Sequence, residues 1–373
     1  MKLISNADIL PQKTSKLMLH CKIVTIYHYL LLNNIEIDYW LLYLLGVRDL
    51  LQFGVQKYNE TYLWFLYPYN IYSEKELMNV FNIELVKSNM DEINRIKECI
   101  DNDEILAIYY DGNIYVNHSE NVTGKKLDKD YYNKSVANSF INNSSFGLII
   151  GYDDRKQCFI LNIIDIDGTN ICIGYNKFFE NNLFLEMYFM KLDQSYEATD
   201  FDYLGLQRLH NESEKYLIKH DSYLIDEEKQ VCEIKGCSSL LALKQELLQS
   251  IELFKKYENN QIITKRFSKR LDIMRLFLLK GSNTGFRKEL SFSLDYLGKV
   301  YDKNSLKQDA AKIAGVGKYW REFTRYLYNV NSKNYNQNPV KYIKGLIKII
   351  DELYINEGQV FLSIKSNTES ILN

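Results

Sequence analysis

The sequence predicts an α+β fold in two parts. Three observations carry the expectation. Short helical and β runs alternate through the first half of the chain. The stretch SSFGLIIGYDDRKQCFILNIID at 144–165 reads as strand, turn and strand, the mark of an antiparallel sheet. From about residue 238 the apolar residues recur at helical spacing instead. With 373 residues, the chain is long for one core and comfortable for two.

The first helix is expected over 22–32, where Ile23, Val24, Ile26, Tyr27, Leu30 and Leu31 repeat at helical spacing. A second apolar helix follows near 39–45. LLQFGVQKY at 50–58 and TYLWFLYPY at 61–69 read as strands. Ser73-Glu-Lys-Glu76 has capping-box spacing, so a helix opens there and runs to about Phe81. IELVK at 83–87 is a strand and MDEINRIKECI at 90–100 an amphipathic helix. Two β runs, 104–112 and 113–117, flank Asp111-Gly112, and 118–144 is polar and turn-rich. After the 144–165 pair, TNICIGY adds a strand and NNLFLEMYFMKL closes the region near 192. Helices are then expected at 238–260, 262–280, 284–300, 304–329 and 340–356, with Pro339 suited to the first turn of the last. The expected division is an α+β domain at 1–195, a connecting segment at 196–237 and a helical domain at 238–373.

Composition removes several classes. Apolar residues make up 46% and charged residues 25%, which is globular usage. Lys and Arg number 46 against 48 Asp and Glu, giving no basic footprint for nucleic acid or an anionic membrane. The longest apolar stretches, such as YWLLYLLGV at 39–47, are too short to span a bilayer, and MKLISNADILPQKTSK lacks the apolar core of a signal peptide. Cysteines at 21, 99, 158, 172, 232 and 237 form no paired framework, so reduced thiols and a cytoplasmic location are expected. Thirty tyrosines and three prolines match the coding bias of an AT-rich bacterial genome.

No cofactor or metal is expected. Cys232 and Cys237 are followed by no second Cys or His pair at ligand spacing, so they read as ordinary thiols. GVGK at 315–318 lacks the glycine spacing and the Ser/Thr of a phosphate loop and reads as a helix interruption. Asp153 and Asp154 suit a hairpin turn better than a carboxylate dyad. The aromatic runs YLWFLYPY and KYWREFTRYLY read as packing.

Cys21 is the one residue with a chemical reading of its own. A thiol at a helix start meets free N–H groups and the macrodipole, which favour the thiolate. The alternative is a buried structural thiol. A helix carrying Cys, followed much later by an antiparallel sheet, is how papain-like folds set a cysteine against a histidine.

His20-Cys21 before a helix, Gly151-Tyr-Asp-Asp154 and the succeeding strand resemble the N-terminal domain of the butirosin biosynthesis protein H family. Phe286-Arg-Lys-Glu-Leu, Ala310-Ala311 and Lys318-Tyr-Trp320 resemble the helical domain that often follows it. The resemblance implies a papain-like fold and an acyltransferase of natural-product biosynthesis. The acyl donor would be a thioester on an acyl or peptidyl carrier protein and the acceptor a small-molecule amine. Cys21 would be the nucleophile and Asn162 the residue orienting the imidazole. The family's histidine stands six residues before the glycine of the G-Y-D turn, and this chain has Ser145 there. A neutral Ser cannot take a proton from a thiol at pH 7.

Five histidines are candidates to replace the missing one. His28 is seven residues along the helix from Cys21, about 10 Å at 1.5 Å per residue. His118, on the polar loop, ranks first and His20 second, while His210 and His220 lie in the connecting segment. Two readings follow. One is an acyltransferase working through Cys21, for which an activated thioester lowers the demand on a base. The other is a catalytically inactive homologue that binds or scaffolds in such a pathway.

Overall fold

A computed structural model describes residues 1–10, 21–58, 61–67, 73–88, 92–111, 144–163, 170–179, 184–193, 199–220, 224–226, 231–257, 260–280, 284–328 and 338–373. In chain order the strands are β1 (Lys2–Leu3), β2 (Gln52–Tyr58), β3 (Thr61–Tyr67), β4 (Ile83–Lys87), β5 (Leu106–Asp111), β6 (Ser144–Asp153), β7 (Cys158–Asn162), β8 (Ile171–Gly174), β9 (Phe184–Leu192), β10 (Leu224–Asp226) and β11 (Val231–Lys235). The helices are α1 (Cys21–Leu32), α2 (Tyr39–Gly46), α3 (Ser73–Val80), α4 (Ile93–Asp101), α5 (Tyr175–Phe179) and α6 (Phe201–Leu217). They continue as α7 (Ser238–Lys256), α8 (Gln261–Lys280), α9 (Arg287–Val300), α10 (Asn304–Tyr328) and α11 (Pro339–Leu372). The fold class is α+β, with antiparallel sheets and a helical region.

Two compact units divide the chain: Met1–Leu42 with Tyr72–Thr199, and Tyr43–Ile71 with Asp200–Asn373. In the first, the strands form an antiparallel sheet in the order β4-β9-β5-β6-β7-β8, with β1 on the far end of β6. Phe146 to Ile150 of β6 and all of β7 are buried, the continuous burial of strands covered on both faces. α1 packs along β6, and its Ile23, Val24, Ile26 and Leu30 are each fully buried. Asp153 caps the β6–β7 turn, its Oδ1 accepting from the N–H groups of Arg155 and Lys156.

The second unit differs from the expected boundaries. Residues 43–71 belong to it because β2 pairs with β11, in the sheet order β10-β11-β2-β3. The segment expected only to connect is a 17-residue helix, α6, and the β10–β11 hairpin. Asp200 caps α6, its side chain accepting from Tyr203 N–H. α11 runs to Leu372 rather than ending near 356, because buried Val360, Phe361 and Ile364 continue the helical spacing. α10 passes through Gly315-Val-Gly317 without interruption, since buried Ile313, Val316 and Trp320 hold its register across the glycines.

A buried polar node ties this unit together. Glu357 of α11 accepts from Arg287 Nε at 2.5 Å, Trp320 Nε1 at 2.7 Å and the Tyr216 hydroxyl. Arg287 also donates to the carbonyls of Leu50 and Gly285. Among the described residues, no helix is long and apolar enough to cross a membrane.

Candidate active site

α1 is apolar except for three buried polar side chains at every third position: Lys22, Thr25 and His28. A buried polar group costs free energy unless it is hydrogen-bonded, and each of the three meets a different element. Lys22 Nζ pairs with Glu74 Oε1 of α3 at 2.8 Å. Thr25 donates its hydroxyl proton to the Phe146 carbonyl of β6 at 2.7 Å. His28 Nδ1 lies 2.5 Å from Asn162 Oδ1 at the end of β7. The helix that opens with Cys21 is thus pinned in turn to α3, β6 and β7.

The pattern assigns the His28 tautomer. Asn162 Nδ2 donates to Asn170 Oδ1 at 2.8 Å, which turns the Asn162 carbonyl oxygen toward the ring. An oxygen acceptor requires the ring proton on Nδ1. Nε2 then carries a lone pair, and it is buried with no hydrogen-bond partner among the described residues. Burial pushes the His28 pKa below its usual value, while the bond to Asn162 opposes that shift. At neutral pH His28 is a neutral imidazole held by a carboxamide, 2% exposed.

A carboxamide that fixes an imidazole and leaves one ring nitrogen bare is the disposition of a base in cysteine–histidine–asparagine sites. Its distance from Cys21 argues against direct proton transfer, being about 10 Å along the helix against a reach of ~3 Å. Asn162 stands opposite Leu148 in the β6–β7 register, three residues or about 10 Å along the strand from Ser145. Ser145 itself pairs with Tyr110 of β5. So the residue expected to orient an imidazole does hold one, from α1 rather than from β6.

His20 and His118 lie outside the described residues, as does the polar stretch expected at 118–144 except Ser144, which opens β6. His210 Nδ1 sits 3.1 Å from Thr368 Oγ1, between α6 and α11. His220 donates its backbone N–H to Ser238 Oγ. Both belong to the second unit. Asp154 binds Lys97 and accepts from the Tyr175 hydroxyl, contacts that lower its pKa. Cys237 is buried against the Leu217 carbonyl, and Cys232 is half-buried on β11.

Lys22, Thr25 and the His28–Asn162 pair went unread in the sequence. The signal was there: three polar residues spaced by three on a helix whose other positions are apolar. Comparison of the chain with protein-family models and with curated proteins found no match to either.

Proposed function

We propose that the protein is an acyltransferase-like enzyme of natural-product biosynthesis. It takes an acyl group from a carrier-protein thioester onto Cys21 and passes it to a small-molecule amine. The Cys21 thiolate attacks the thioester carbonyl and the carrier thiolate leaves, giving an acyl-cysteine of similar energy. The amine then attacks, the amide forms, and the amine proton goes to the departing Cys21 sulfur. The single observation that carries this reading is the docking of α1. Thr25, one turn beyond Cys21, donates to the Phe146 carbonyl next to Ser145, which supports a helix start near the strand position where the family that the sequence resembles has its histidine. Cytoplasmic residence suits the free thiols at Cys99, Cys158, Cys172, Cys232 and Cys237.

A second reading, a non-catalytic binding homologue, is favoured by Ser145 and by the burial of His28. Intact-mass analysis after incubation with short acyl thioesters separates the two. An acyl adduct on the wild type that is absent from Cys21→Ala, and that discharges on adding an amine, is expected. No adduct, together with slow iodoacetamide labelling of Cys21, overturns the enzyme reading.

A further inference from the structure

Two thiols outside the candidate site sit beside each other on the edge of the first unit's sheet. β7 and β8 are antiparallel, with Cys158 opposite Gly174 and Cys172 opposite Ile160. Cys158 and Cys172 are therefore diagonal neighbours on one face of the ladder. The Cys172 thiol is among the causes that raise the Cys158 pKa, after burial. Cys158 is buried and Cys172 is exposed. β8 ends the strand order, so Cys172 stands on an edge strand. Opposite Cys158 there is no side chain, and a Cβ built on Gly174 would meet nothing nearer than the Gln157 carbonyl at 3.8 Å.

We propose that Cys158 and Cys172 are a redox-active thiol pair that closes reversibly to a cross-strand disulfide. The oxidant is a peroxide. The exposed Cys172 sulfur attacks a peroxide oxygen, becoming a sulfenic acid with loss of one water or alcohol. Cys158 then attacks that sulfur, the S–S bond forms, and the sulfenic oxygen leaves as water. Two thiols and one hydrogen peroxide thus give one disulfide and two waters.

The division of labour follows from the surroundings. Burial, and next the Cys172 thiol, push the Cys158 pKa up to about 11. Cys158 therefore stays protonated until its partner is oxidised, and Cys172 meets the oxidant first. Diagonal same-face positions lie about 7–8 Å apart between Cα atoms, whereas a disulfide takes roughly 4.4–6.8 Å. Closing the bond takes a local shift of β8 along β7, because the strands are already paired and only their offset can shorten the diagonal. A bond closed under such strain is readily reduced, the property of a labile disulfide and not of a structural one.

The full chain is treated with hydrogen peroxide, blocked with iodoacetamide and mapped by peptide mass. The expected product is a cross-link between the peptides of Cys158 and Cys172, two hydrogens lighter than the thiol pair and reversed by dithiothreitol. Cys172→Ser, at an exposed site, is expected to fold, to lose the cross-link and to leave Cys158 as a thiol. In Cys158→Ala, Cys172 is expected to stop at sulfenic acid, trapped by dimedone. Over-oxidation of Cys172 in the wild type with Cys158 still alkylated overturns the proposal, as does a Cys158 disulfide with any other cysteine.

Discussion

Asn162 and His28 are 134 residues apart in the chain and 2.5 Å apart in the fold. The bond joins the end of β7 to the middle of α1, and Asn170 completes it from the start of β8. Replacing Asn162 with Ala leaves the His28 Nδ1 proton buried and unpaired, a loss of about 1–3 kcal/mol. Chemical denaturation of the two proteins measures it. Equal stability would show that the ring finds another acceptor.

The same imidazole makes the protein acid-sensitive. Its folded pKa lies below the ordinary 6.5. The unfolded chain therefore binds the proton first, and stability falls as pH drops from about 6.5 toward the folded value. Above that window the contribution is complete. His28→Gln removes this group's share of the slope, so its denaturation midpoint is expected to change less than the wild type's between about pH 7 and pH 5. Parallel slopes would assign the acid sensitivity elsewhere.

Glycines in the second unit split into two kinds. Gly315, inside α10, has nothing within 4 Å of its Cβ position. Gly315→Ala is expected to stabilise by about 0.5–1 kcal/mol, the cost of glycine in a helix interior. Gly285 has a φ of +60°, and a Cβ there would lie 2.7 Å from Trp320 Cδ2. Gly285→Ala combines a left-handed backbone with a collision in a packed core, and a loss of roughly 1–3 kcal/mol follows. Thermal unfolding of the two variants is expected to shift in opposite directions.

The legible parts of the fold were those set by local periodicity. α1, α7 and the β6–β7 hairpin fall where apolar spacing and the Asp153 turn put them. Pairings between distant segments leave no periodic trace. Nothing in QFGVQKY announces that Phe53 pairs with Ile234, with residues 72–199 lying between them in the chain. α6 was hidden for another reason: its buried face includes Glu212 and Ser213, and Glu212 is there to accept from Asp49 N–H at 2.6 Å. At the candidate site the absence of histidine at 145 was legible. The capture of Asn162 by His28 was not, because it depends on the register that sets Asn162 opposite Leu148.

Arg287 and Glu357 carry the last prediction. Both are fully buried, and the neighbouring carboxylate keeps Arg287 charged against the desolvation that opposes it. Glu357→Gln preserves shape but leaves a guanidinium without its counter-charge, and removing one partner of such a pair costs about 3–5 kcal/mol. The Trp320 N–H donates to Oε1 and the Tyr216 hydroxyl to Oε2, so the amide keeps an oxygen for one of them and sets its NH2 against the other. The loss therefore reports the charge together with one disturbed hydrogen bond. Urea denaturation of Glu357→Gln, Arg287→Met and the double variant separates the contributions. The double variant is expected to lose clearly less than the sum of the singles, because it no longer strands a charge in the core. Additive losses would mean that the carbonyls of Leu50 and Gly285, not Glu357, hold the guanidinium in place. Added salt is expected to leave the pair's contribution unchanged, since buried charges are screened much less than exposed ones.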